Sequence, residues 1–95
     1  MGATKGAEGT RAGNKTRNEL PWSLILHDDR NPINRVVWRL WRTLPGMSMK
    51  KATKVRWEAH AKGRAVAKVC HRELAELYEE RLRAEDLTVS IEPAR

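Results

Sequence analysis

The sequence contains no phenylalanine, one tyrosine and one cysteine. The lone Cys70 has no internal disulfide partner, which fits a reducing compartment. No apolar run approaches the roughly 20 residues that a membrane-spanning helix needs. No apolar segment of signal-peptide type follows the N-terminus, so the expected location is the cytoplasm, with no membrane partner. Catalytic signatures are missing too: there is no Gly-x-Ser-x-Gly elbow, no glycine-rich phosphate loop, and no Cys-x-x-Cys or His-Glu-x-x-His ligand spacing. These absences argue against an enzyme, a metal centre and a bound cofactor.

What is present is enough for one domain with a modest core. Forty per cent of the 95 residues are apolar, and four tryptophans supply most of the large aromatic volume; they read as structural. The formal charge is +7, from 19 Lys and Arg against 12 acids. Such a balance suits a polyanion or an acidic protein. The basic residues are scattered without a run of five, however, so a solvated surface is the simpler reading and nucleic acid is not the expected partner. Residues 1–19 hold no large apolar side chain after Met1. Such a segment cannot offset its chain entropy by burial, and it reads as a flexible basic tail ahead of a folded unit over residues 20–95.

The folded part alternates strand and helix patterns. Trp22, Leu24 and Leu26 alternate with Ser23 and Ile25, the pattern of a strand that stops at His27. Asn31 has the chemistry of an N-cap and Pro32 that of a first helical residue. Ile33, Val36, Val37, Leu40, Trp41 and Leu44 then mark an apolar helical stripe, with Arg35, Arg39 and Arg42 opposite. Pro45-Gly46 ends it. Ser48 caps a second helix to about Lys62, stopped by Gly63, with Met49, Ala52, Val55 and Ala59 on its apolar face and Trp57 off it. Arg56 and His60, one turn apart, border that face. Arg64 to Cys70 reads as a strand. His71-Arg72-Glu73 starts a third helix, with Leu74, Ala75, Tyr78 and Leu82 on one face, and Asp86 leaves it. Leu87, Val89 and Ile91 alternate with polar residues in a last strand ended by Pro93. The order β-α-α-β-α-β implies an α/β two-layer sandwich, with three helices covering a three-stranded antiparallel sheet.

One stretch concentrates polar chemistry. Leu24-Ile25-Leu26 runs into His27-Asp28-Asp29, and Asn31-Pro32 opens a helix directly after. Hydrolysis by the two carboxylates is disfavoured because neighbours in an extended segment point apart rather than flanking a bond. Two readings remain open. The acids can be turn and capping residues. Alternatively, two carboxylates and an imidazole beside the apolar start of a helix can hold an ammonium that carries an apolar group, such as a free α-amino group followed by a hydrophobic side chain.

The runs Pro21-Trp22, Leu26-His27-Asp28-Asp29, Asn31-Pro32, Gly46-Met47-Ser48, His60-Ala61-Lys62-Gly63-Arg64-Ala65, Glu73-Leu74-Ala75-Glu76 and Leu87-Thr88-Val89-Ser90-Ile91-Glu92 together resemble the ClpS family, adaptors of the Clp protease. The likeness spans about residues 20 to 92 in order and spacing. It implies the same β-α-α-β-α-β fold. It also implies a monomeric adaptor that binds substrates through a destabilising N-terminal residue, an N-degron, and delivers them to the AAA+ ATPase of the Clp protease, with no chemistry of its own. The resemblance places the α-amino site at His27, Asp28, Asp29 and His60, with His27 where the family has Asn. A neutral imidazole can accept the same hydrogen bond, whereas a protonated one repels an ammonium. The side-chain pocket falls to Asn31, Ile33, Val36, Arg56, Ala59 and Leu87, and an ATPase contact to Glu73.

Arg56 is the departure that matters, because the family has Met on that pocket wall. Its stem can cover the pocket with its head in water, which keeps binding and alters selectivity. Its head can instead pair with Asp28 or Asp29 and compete with the ligand amine. The alternatives to the adaptor reading are a relative that docks on the ATPase with altered or lost recognition of N-termini, and a small basic nucleic-acid-binding domain.

Overall fold

A computed structural model describes residues 21–94; the basic tail expected over residues 1–19 lies outside them. In the described part the elements are β1 (Trp22–His27), α1 (Ile33–Thr43), α2 (Met49–Lys62), β2 (Arg64–Cys70), α3 (Arg72–Ala84) and β3 (Val89–Pro93). The sheet order is β2-β1-β3, and β1 pairs antiparallel with both neighbours. The expected architecture is therefore the observed one.

The central position of β1 explains its burial. Leu24 and Leu26 face the helices and join a core with Val36, Val37, Leu40, Val55, Tyr78, Leu82 and Val89. The opposite face of β1 is also covered, with Ser23 and Ile25 buried, where simple alternation marks only one face as strongly apolar. Register supplies the reason. Arg64 pairs with His27 and Glu92 with Ser23, and the Arg64–Glu92 ion pair, 2.6 Å long, spans β1 between them, where Ile25 sits. That hydrogen bond holds the Glu92 carboxyl below its ordinary value. A bulge at Ala67 shifts the β1–β2 register between Leu24 and Ile25 and leaves Val66 and Val69 exposed on this open face.

The helix ends follow their capping residues in part. Ser48 Oγ accepts from the Lys51 N–H at the start of α2, and Gly63 closes that helix at φ 89°, a left-handed conformation that glycine takes without steric cost. At α1 the expectation fails: Pro32, not Asn31, is the N-cap residue, and no side chain caps the helix. The Asn31 amide instead donates to the Asp86 carbonyl. This partner lies 55 residues away, beyond any local pattern.

The end of α3 sets the last strand. Asp86 takes φ 66°; its N–H bonds the Arg83 carbonyl, and the Leu87 N–H bonds the Leu82 carbonyl. This is a Schellman closure, in which the residue after the left-handed one folds back onto the helix. Leu87 is thereby buried in the core that also holds Leu82, and β3 begins at Val89 rather than Leu87. Three side chains placed on apolar stripes, Trp41, Met49 and Leu74, are exposed. The buried stripes are narrower than their spacing indicates: Val36, Val37 and Leu40 on α1, and Ala75, Tyr78 and Leu82 on α3. Of the four tryptophans, only Trp22 is buried; the Arg72 guanidinium lies 4.7 Å from its ring centre. Trp38, Trp41 and Trp57 are exposed, so they are not core residues.

Candidate functional site

The turn after β1 is held from both flanks. The His27 N–H donates to the Thr88 carbonyl and the Asp28 N–H to the Gly63 carbonyl. The backbone at His27-Asp28 is thus fixed between the approach to β3 and the start of β2. This places the turn at the end of the sheet where β1 finishes and where α2 arrives.

The two neighbouring carboxylates serve different groups. Asp29 Oδ1 accepts from the Asn31 N–H at 2.9 Å, and its Oδ2 from the Thr88 N–H at 3.3 Å. Asp29 is therefore a fastener: it closes the turn and ties it to the segment before β3, the side-chain-to-backbone turn role that acids in such loops often have. Asp28 turns to α2. Its Oδ1 lies 3.5 Å from Arg56 Nη1 and 3.4 Å from His60 Nδ1.

These contacts are long, and the Asp28 side chain stays 40% exposed. His60 is more exposed still, and its ring stands edge-on to that of Trp57 with centroids 6.0 Å apart. Arg56 is different. Its side chain is 7% exposed, and its Nε is buried without a hydrogen-bond partner among the described residues. The guanidinium head is thus turned inward toward Asp28, not outward to water.

The apolar residues expected to line the pocket belong to the core. Val36, Ala59 and Leu87 are buried in one cluster, and Ile33 packs against it at half burial. They come from α1, α2 and the loop before β3, and Arg56 lies one turn before His60 on the same helix. Asn31 is half-buried and occupied with Asp86. His27 is not brought into contact with this group by any hydrogen bond: its Nε2 lies 2.7 Å from Ser90 Oγ. Ser90 belongs to a family-like run but has no site role in it, although the alternation of β3 puts it opposite the core-facing Val89 and Ile91, on the face His27 shares.

Glu73 is exposed on the first turn of α3. It lies beyond Cys70, which pairs with Trp22, whereas the Asp28 turn lies beyond His27, which pairs with Arg64. The length of β2 therefore separates them, roughly 20 Å at the usual strand rise. Among the described residues no group of three or more His, Cys, Asp and Glu side chains is placed to hold a metal ion, and no helix is long and apolar enough to cross a membrane.

The fold is a small α/β two-layer domain with a polar turn at one end of its sheet. Comparison with known proteins agrees. The family described as ATP-dependent Clp protease adaptor protein ClpS matches residues 17–90. The Clp protease adapter protein ClpS of Gloeobacter violaceus is 43% identical over 79 residues, covering 81% of this chain and 85% of that protein. The ClpS of Synechococcus elongatus is 38% identical over 73 residues, covering 76% and 77%. Among solved structures, ClpS2 of Agrobacterium tumefaciens bound to L-phenylalaninamide superposes with a TM-score of 0.71 at 27% identity, over 79% of this chain and 98% of that one. The chain belongs to the ClpS family of Clp protease adaptors.

Proposed function

We propose that this chain binds the N-terminal residue of substrate polypeptides at Asp28 and His60 and passes those substrates to the AAA+ ATPase of the Clp protease. The observation that carries this reading is Asp28: an exposed carboxylate beside the His60 imidazole, on the helix that also carries the buried Ala59. A free α-ammonium next to a hydrophobic side chain is a ligand that such a carboxylate fits. L-phenylalaninamide, held by the related ClpS2, has that chemistry. Asp29 contributes by fixing the turn, and Glu73, at the other end of the sheet, is free for the ATPase while the site is occupied.

Arg56 sets the terms of binding. A ligand ammonium must compete with its guanidinium for Asp28, and its stem takes up space beside the small Ala59. The pocket is therefore narrower and more polar than an apolar wall of the same length, and its selectivity is narrower with it. A second reading is favoured by the same contact: the Arg56–Asp28 pair closes the site, and the chain docks on the ATPase without reading N-termini.

Measured affinity for a peptide with a free N-terminal Leu or Phe tests the assignment. Asp28→Ala and His60→Ala should each weaken binding by about 1.5–3 kcal/mol, the value of a hydrogen bond to a charged group. Asp28→Ala also strands the Arg56 head, so the exposed His60 supplies the readout on an undisturbed fold. Unchanged affinity in His60→Ala would remove it from the site.

A further inference from the structure

The outer face of α1 holds a feature that N-terminal-residue binding does not use. Arg35, Trp38, Arg39, Trp41 and Arg42 recur along it at helical spacing. Trp38 is 48% and Trp41 41% exposed, and their rings pack on each other with centroids 5.1 Å apart and planes 37° apart. Beside the pair runs an open groove of about 710 Å³ lined by Pro32, Asn34, Arg35, Trp38, Arg39 and Arg42. A second, of about 380 Å³, shares Arg42 and reaches Arg81 on α3.

A pair of half-exposed tryptophans on a surface helix leaves apolar area in water that monomer stability does not require. Trp and Arg are also the residues that dominate binding energy at protein interfaces. One carboxylate already pairs with this face within the chain. Glu85, from the end of α3, sits against Arg42 and Arg39, and Arg39 Nη1 also donates to the Glu85 carbonyl. The hydrogen bond from Arg42 holds the Glu85 carboxyl below its ordinary value. Arg35, one turn earlier, has no ion pair with another described residue and lines the groove.

We propose that this face docks an acidic, amphipathic segment of a partner protein. In this arrangement a carboxylate pairs with Arg35 and an adjacent apolar side chain lies on the Trp38–Trp41 pair. Charge decides among the other occupants. Residues 1–20 carry Lys5, Arg11, Lys15 and Arg17 against Glu8 and Glu19, a net positive charge that does not complement an arginine face. A second copy carries the same net charge of +7, which opposes self-association at long range. A nucleic-acid strand would meet the Glu85 carboxylate within the arginine patch, where a continuous phosphate track needs uninterrupted cations; a segment with spaced carboxylates avoids it.

The test uses the full chain and the blocked peptide acetyl-Glu-Glu-Leu-Glu-Glu-Leu-amide, which has no α-amino group and cannot use the Asp28 site. The expected result is binding that shifts the indole N–H resonances of Trp38 and Trp41 and leaves those of Trp22 and Trp57 in place. Arg35→Glu and Trp38→Ala, both surface changes, should each weaken it at least about tenfold. The proposal is overturned if those resonances do not move, or if the same peptide with Lys for Glu binds equally well. It is likewise overturned if an oligothymidylate of matched charge binds more tightly, or if sedimentation shows a dimer that Trp38→Ala abolishes.

Discussion

The guanidinium of Arg56 is buried with its Nη1 3.5 Å from Oδ1 of Asp28, while the carboxylate it approaches stays 40% exposed. The pair joins an inward-facing cation to an outward-facing anion. Burial of a charge without full compensation is costly, and Arg56 Nε has no hydrogen-bond partner among the described residues. Arg56 therefore carries a stability cost.

Replacing Arg56 by Met should therefore stabilise the fold. An unsatisfied buried donor costs about 1–3 kcal/mol, and a flexible apolar side chain of similar length fills the site without it. Urea unfolding should show a higher midpoint with an unchanged slope. The same variant should bind peptides with N-terminal Leu or Phe more tightly, because Asp28 loses its competitor. A lower midpoint would mean that Arg56 is better satisfied than its geometry shows. Binding gained only in the variant would favour the closed-site reading.

Asp29 separates scaffold from ligand contact. Its carboxylate accepts from the Asn31 and Thr88 N–H groups, so Asp29→Ala should cost about 1–2 kcal/mol of stability. Amide exchange at Asn31 and Thr88 should accelerate with it. Intact protection at both amides, together with lost peptide binding, would instead make Asp29 a direct ligand contact.

Acid sensitivity should have a component from Glu85. Its hydrogen bond to Arg42 lowers its pKa in the fold below the ordinary 4.5. A depressed carboxylate stabilises the fold above its unfolded pKa, and that contribution is lost as pH falls through the folded value. Glu85→Gln should thus flatten the pH dependence of the melting temperature below about 4.5 and leave the slope above it unchanged. Parallel curves for the two proteins would show that the pair adds nothing, as many exposed ion pairs do.

Much of this was legible in the sequence because the signals are local. Ser48 and Gly63 bracket α2 as their chemistry dictates, and the strand and helix order follows from periodicity. What was not legible depends on distant partners. Asn31 reads as an N-cap until Asp86 claims its amide. The contact of His27 Nε2 with Ser90, on another strand, is likewise absent from any local pattern. Trp41 reads as core because the stripe on α1 is drawn too wide. The pairing of Arg56 with Asp28 joins residues 28 apart; spacing named both orientations of the head but could not choose between them.

The most direct measurement is the affinity of the full chain for a peptide with N-terminal Leu or Phe, compared with the same peptide acetylated at its α-amino group. Recognition of the ammonium by Asp28 and His60 predicts that acetylation lowers affinity at least about tenfold, the equivalent of 1.4 kcal/mol. Equal affinity for the two peptides would contradict it.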